Sequence, residues 1–345
     1  MNKRTCNWII LGAILVAAGV SVWLVQSSGQ GPEKAIARIS PDQPGSSADG
    51  ASGYVVSPFV PGDFQALAPA KRSPSDLKLV CPSVNESPVI DGIAGDAVWS
   101  LAKPITTLDF PSQRTITIRA VHTSDTIFFL VTFPDVSPST THKSFRWDRE
   151  AGIYKPYNDR EDMFAFKWSM QGLNANLLLR GGQPHRGDIW FWKACRTNPA
   201  GYADDKSHSY STQKQNVHAT EITPLAGNSP MYLLRTGDSG QSAYEEKIAL
   251  DHQGPFAPRF INRQPTGSRA DVSARGCWRE GGWTVEFARK LDTGHDDDVA
   301  FTAGGRYLFI VSCYEMSGDT VHPEWSQPLY RTGDGFDRIV LEITR

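Results

Sequence analysis

The chain has 345 residues, a formal net charge of −2, 21% charged and 10% aromatic residues. That length supplies one large or two ordinary domains with a sizeable core. The near-neutral balance, with no basic stripe, acidic tail or heptad run, excludes electrostatic recruitment of nucleic acid.

In chain order, Lys3 and Arg4 precede an uncharged stretch from Asn7 to Gly31. Its apolar heart is Trp8 to Val25, 18 residues, close to the ~20 that span a bilayer as a helix. Trp8 and Trp23 stand near its ends, where indoles favour the membrane interface. Residues 1–26 therefore read as a single-pass signal-anchor transmembrane helix. The basic flank keeps the N-terminus in the cytoplasm and sends the rest across a bacterial inner membrane, to the periplasm or outside. A cleaved signal peptide is the alternative, but signal cores usually run about 7–15 residues and no A-x-A site follows. Cys6 precedes the apolar run, which is not where a lipoprotein cysteine stands. Residues 27–75, rich in Ser, Gly, Pro and Ala, read as a flexible tether.

Globular patterning fills 76–345. LKLVCPS reads as a first strand. In PVIDGIAGDAVWSLAKPI (88–105), Asp91-Gly92 marks a turn and AGDAVWSLA one helical turn that inserts Trp99 into a core. TITIRAVHTSDTIFFLVTF (115–133) alternates and breaks at Thr-Ser-Asp, the mark of a hairpin. Further strands are expected at 161–170, 174–181, 187–194, 231–236, 281–291, 306–315 and 337–345. Helical periodicity is nearly absent, so the fold class is an all-β antiparallel β-sandwich, with long loops expected between Ala203 and Gly276.

Cys81, Cys195, Cys277 and Cys313 lie in the exported part. An oxidising compartment permits disulfides, and four cysteines allow three pairings; buried free thiols are the alternative. No C-x-x-C occurs, which excludes a tetrathiolate zinc site and covalent c-type haem.

The densest aromatic block is GDIWFWKACRTNPAGYADD (187–205). Trp190 and Trp192 alternate with Phe191, so their rings share one sheet face. They read either as plain core or as the wall of a pocket for something flat, a haem or a sugar. Lys193 and Arg196 follow, with the basic chemistry that pairs with carboxylates. Asp204 and Asp205 are their internal rivals as partners. The run Asp296-Asp297-Asp298 reads as a solvated turn; a calcium site through His295 plus these carboxylates is the alternative, though hard-cation loops need a more defined spacing. No G-x-S-x-G, H-E-x-x-H, P-loop or G-x-G-x-x-G is present, so no self-contained catalytic constellation stands out.

PVIDGIAGDAVWSLA resembles the opening of DOMON and family 9 carbohydrate-binding sandwich modules. DIWFWKACRTNPAGYADD resembles the Trp-rich block of the ethylbenzene dehydrogenase gamma-subunit-like haem-binding domain. GGWTVEFARKLDTGHDDDVAF and RYLFIVSCYEMSGDTVHPEWSQPLYR resemble that domain's C-terminal half. The resemblance covers Leu77 to Arg345. It implies a b-type haem, non-covalently held, in an electron-transfer subunit of an exported molybdenum oxidoreductase or a membrane-linked cytochrome. The family's gamma-subunit branch ligates iron with a methionine and a lysine. Here the lysine's loop, EMSGDTVHPEWS, has no lysine but has His322. The methionine's region, LLLRGGQPHRG, has no methionine; Leu179 and Arg180 stand there.

Haem iron takes His, Met, Lys, Cys or Tyr as axial donors. His322, in a loop after an apolar strand beside Pro323 and Trp325, is the first candidate. His185 and Met170 are alternatives for the opposite ligand, with His142 a further option and Met163 read as core. The expectation is an exported b-type cytochrome domain passing single electrons to or from a partner oxidoreductase, without catalysis of its own. A haem-free carbohydrate or small-ligand module, or a structural subunit, are the competing readings.

Overall fold

The computed structural model describes residues 75–109, 114–178, 181–224, 229–247, 253–314 and 337–345. The expected anchor (1–26) and tether (27–75) lie outside the described residues, apart from Ser75, and so does His322. Among the described residues no helix is long and apolar enough to cross a membrane.

The strands run in chain order β1 (Asp76–Cys81), β2 (Ile105–Asp109), β3 (Arg114–His122), β4 (Thr126–Pro134), β5 (Phe145–Asp148), β6 (Ile153–Pro156), β7 (Met163–Ser169), β8 (His185–Lys193) and β9 (Asp204–Ser211). They continue with β10 (Thr220–Ile222), β11 (Met231–Gly237), β12 (Tyr244–Glu246), β13 (Phe256–Ala257), β14 (Phe260–Asn262), β15 (Ser273–Arg279), β16 (Gly282–Lys290), β17 (Arg306–Tyr314) and β18 (Arg338–Ile343). The large sheet has the order β1-β18-β17-β7-β8-β9-β11-β10, and the small one β15-β16-β4-β3-β2. Pairing is antiparallel throughout these two sheets except between β1 and β18, which run parallel. The remaining short strands form two minor sheets.

The expected hairpin at 115–133 forms as β3 and β4, with Ala120 opposite Phe129. Alternation decides which side chains face inward. Phe164, Phe166 and Trp168 of β7, with Trp190 and Trp192 of β8, join Ile118, Phe129, Val285 and Phe287 of the small sheet in one core. Rings meet across the gap: Phe129 lies 5.0 Å from Phe166 and 5.7 Å from Trp190, and Phe166 lies 5.2 Å from Phe287. Trp99 is buried in a 3₁₀ turn (Ala97–Leu101), as its motif predicts.

One expectation fails and another is incomplete. NANLLLRG forms no strand over its described residues 174–178. Asn176 Oδ1 instead accepts from the Leu178 amide, a local turn, and Leu177 packs on Leu308 and Ile310. This loop covers the outer face of the large sheet, so every residue of β7 is buried. The stretch from Ala203 to Gly276 holds the expected loops, but DDKSHSYS within it becomes β9, an interior strand of the large sheet. Its polar residues hide a strand that is paired on both edges. Cys81, Cys195 and Cys313 are free thiols, so none of the three pairings among the four exported cysteines forms. Burial pushes the Cys195 thiol up to about 12, with the Glu161 charge adding to it.

Candidate functional site

The parity of β8 separates two environments. Its even residues Trp190 and Trp192 enter the core. Its odd residues therefore project from the outer face, where His185 pairs with Tyr210 and Gly187 with His208 of β9. Lys167 of β7 shares that face, opposite Ile189. The lysine stem crosses Gly187: a Cβ there would lie 3.2 Å from Lys167 Cγ. Lys167 Nζ then donates to Leu177 O at 2.8 Å, beneath the covering loop. The result is a buried strip of Lys167, His185, His208 and Tyr210.

His185 is 1% exposed and lies 5.1 Å, ring to ring, from Tyr210. Its Nδ1 is 3.0 Å from Gln183 O. A carbonyl only accepts, so Nδ1 carries the proton and Nε2 holds a lone pair. That Nε2 is buried with no hydrogen-bond partner. Burial, reinforced by the Lys167 charge and opposed by the Gln183 bond, lowers the imidazole pKa to about 3. His208, two residues along the neighbouring strand, is likewise buried with an unpartnered Nδ1. Burial first, then Lys167, Arg235 and Lys206, hold it far below the usual histidine range. Both imidazoles are neutral, the form that ligates a metal.

Gln183 also lines a cavity of about 280 Å³ between the covering loop and the outer face, with Leu177, Leu178, Leu308, Ile310 and Arg338. The haem expectation meets its test here. A neutral imidazole with one nitrogen tied to a carbonyl and the other unpartnered is what an axial ligand requires. Asn174 and Asn176 also line the adjoining cavity, and its Arg338 guanidinium is held by Asp76 and Leu173 O. His185 has the character of a haem donor, but it does not line this cavity.

The other expected residues lie elsewhere. Trp190 and Trp192 are wholly buried between the sheets. Trp192 Nε1 donates to Asn198 Oδ1 at 3.0 Å, and the Arg289 guanidinium lies 4.7 Å from the Trp190 ring. Lys193 Nζ pairs with Asp204 at 2.5 Å, and Arg196 with Glu161. Met170 follows β7 in step with Trp168 and packs against the core, across the sheet from His185. The structure does not bring Met170 and His185 together. His142 lies by Glu161, Nδ1 to Oε1 3.5 Å, and burial with Arg196 nearby keeps it neutral. Met163 is buried. The aspartate run is not a uniformly solvated turn: Asp296 is exposed, Asp297 half-buried and Asp298 buried. His208 was missing from the sequence reading. The alternation Ser-His-Ser-Tyr in 207–210 is the signal that places it beside His185.

A carbohydrate-binding module of family 9 from Caldicellulosiruptor kristjanssonii, in complex with cellotriose, is similar to this chain at 10% identity. The match covers 79% of this chain and 95% of that one, with a TM-score of 0.36. The glucose complex gives 11%, 78%, 97% and 0.36. A putative carbohydrate-binding protein from Bacteroides uniformis gives 10%, 78%, 100% and 0.35. No curated protein matches the chain significantly. The family described as ethylbenzene dehydrogenase matches residues 98–323, a span that holds the Trp99 turn, both faces of the sandwich and the His185 strip. The chain belongs to the ethylbenzene dehydrogenase family.

Proposed function

We propose that the chain is a b-type cytochrome domain that passes single electrons to or from a partner oxidoreductase and converts no substrate itself. Family membership supports the reading. The observation that carries it is the buried, neutral His185, whose Nε2 has no partner. His185 would hold haem b through Nε2, and His322 is the proposed second ligand. Bound haem supplies an iron that takes up and releases one electron at a time.

The chain's own groups set the conditions. Gln183 O fixes the His185 tautomer through the 3.0 Å contact to Nδ1. The loop over Leu177 keeps water from this face, and Lys167 holds a positive charge beside the imidazole. A nearby fixed cation favours the reduced state of a redox centre. Trp190 and Trp192 stiffen the sheet from behind; being wholly buried, they present no face to a sugar. The apolar run from Trp8 to Val25 supports export, with the domain tethered outside the cytoplasm. The partner is then a redox protein there, a molybdenum oxidoreductase or a membrane cytochrome.

The test is the reduced-minus-oxidised spectrum of the full chain expressed with haem supplied. A Soret band with α and β bands is expected. Folded protein lacking them overturns the proposal. His185→Ala and His322→Ala should each shift or abolish the bands, and an unchanged spectrum removes that residue from the ligand pair.

A further inference from the structure

A second buried cluster lies on the opposite face of the same strands, between the two sheets. Asp188 of β8 and Asp205 of β9 share the inward parity of Trp190, which pairs with Asp205. Asp298 arrives from the turn after β16, and Asp238 follows β11. Asp188 and Asp205 are 0% exposed, Asp238 6% and Asp298 8%. Arg289 of β16 meets them: its Nη1 donates to Asp188 Oδ2 at 2.8 Å and stands 3.3 Å from Asp298 Oδ1. Val299 N donates to the same Asp188 oxygen at 3.0 Å, and Thr293 Oγ1 to Asp298 Oδ2 at 2.6 Å.

These donors leave much of the cluster unserved. Asp188 Oδ1, both oxygens of Asp205 and both oxygens of Asp238 accept no hydrogen bond. One oxygen from each of Asp188, Asp205 and Asp298 lies within 4.8 Å of the other two. Asp205 is the telling member. It is wholly buried, neither oxygen has a donor, and it is aimed at two further carboxylates. Buried carboxylates facing one another need a counter-charge, and Asp188, Asp205 and Asp298 here share one guanidinium, that of Arg289.

We infer that Asp188, Asp205 and Asp298 bind a hard divalent cation of the Ca²⁺ class, with Asp238 completing the acidic wall. An all-oxygen donor set excludes soft, thiolate-seeking metals. Carboxylate oxygens are the ligands of hard divalent cations, and Ca²⁺ tolerates the irregular geometry of side chains drawn from three separate elements. The ligands come from β8 and β9 of the large sheet and from the turn after β16 of the small one. The cation therefore fastens the two layers together at this end. The site is separate from the His185 strip and stands or falls without it.

The experiment uses the full chain stripped with a chelator and titrated with CaCl₂ in a calorimeter. One Ca²⁺ per chain is expected, with Tm raised by about 5 °C at roughly millimolar Ca²⁺. Tb³⁺ should show luminescence sensitised by Trp190, which Arg289 places beside the cluster, and Ca²⁺ should quench it. Asp205→Asn should weaken binding at least about tenfold and raise the Tm of the metal-free chain, since a buried charge is gone. A wild-type chain with no Ca²⁺-dependent Tm shift and no Tb³⁺ luminescence overturns the inference, and the cluster is then one that shares protons. Equal Ca²⁺ responses in wild type and Asp205→Asn overturn it too. Should Asp205→Asn not fold, Asp298→Asn carries the same comparison.

Discussion

The indole Nε1 of Trp99 donates to Glu286 Oε1 at 2.9 Å. The other oxygen of that carboxylate accepts the amides of Asp91 and Gly92 at 3.0 and 2.8 Å. One buried side chain on β16 thus fixes both halves of the Asp-Gly…Trp motif. Gly92 is required there, since its φ is +78° and a Cβ would lie 2.8 Å from Cys277 N.

Glu286→Ala should cost about 3–4 kcal/mol, because it strands three donors, two of them buried. Glu286→Gln, which keeps one acceptor oxygen, should cost less. Urea unfolding with a constant m-value measures both.

Gly276 and Asn198 make a second lock. Asn198 Oδ1 accepts from Trp192 Nε1 and from Gly276 N at 2.6 Å, and Asn198 Nδ2 donates to Gly276 O at 3.0 Å. A Cβ on Gly276 would meet the Trp192 ring at 2.4 Å. Gly276→Ala should destabilise by about 2–3 kcal/mol through overpacking, and Asn198→Ala by about as much through three lost bonds. Near-ultraviolet circular dichroism should report the loosened indole in both.

Stability should depend on pH through Asp162. Burial first, then its contact with Asp135, raises the Asp162 carboxyl to about 8. Trp283 Nε1 is shared between Asp135 Oδ2 at 2.8 Å and Asp162 Oδ2 at 3.1 Å. From about pH 4 to about pH 8 the folded carboxyl holds a proton that the unfolded chain has lost. Stability therefore falls as pH rises through that window, by roughly 1–3 kcal/mol. Asp162→Asn should flatten this slope in urea midpoints recorded across the range. A wild-type slope retained in the variant would assign the effect to other groups.

Asp204 is the hub of a buried ionic network. Burial pushes its carboxyl up, but Lys193, Lys206 and Arg269 outweigh that and hold it far below the usual carboxylate range. Lys206 Nζ lies 3.3 Å away, Tyr244 also donates at 3.2 Å, and Arg269 is in direct contact. Asp204→Ala leaves these cations facing one another and should cost about 3–5 kcal/mol. Lys193→Met should cost only about 1–2 kcal/mol, because Arg269 and Lys206 still serve the carboxylate. Thermal unfolding of the two variants side by side checks the asymmetry.

The sandwich was legible wherever one face of a strand is apolar. Ile116 and Ile118, or Phe164 and Phe166, announce their strands by alternation, and Trp99 announces its turn. β9 was hidden because its inward residues include Asp205 and Ser207, so its pattern looks like loop. NANLLLRG misled for the opposite reason: Leu177 is apolar because it covers the outer face, not because it belongs to a sheet. At the candidate site, His185 was readable from the resemblance. Its partner on the same face, His208, emerges only once the β8–β9 register is known. The two tryptophans of the aromatic block lie on the core side of a strand whose outer side carries His185. Lys193 and Arg196 found acids within the domain, and only pairing across strands reveals which ones.

The parallel pairing of β1 with β18 also governs how the chain is built. Asp76 meets Arg338 across 262 residues of sequence, and in the large sheet β1 has no other neighbour. β1 precedes its partner by most of the domain, so its edge stays unpaired until β18 arrives to pair with it. Contacts so distant in sequence make folding slow, and an unpaired edge invites strands of other chains. The first strand is thus among the last to be secured, and nascent chains are most exposed to aggregation in that interval.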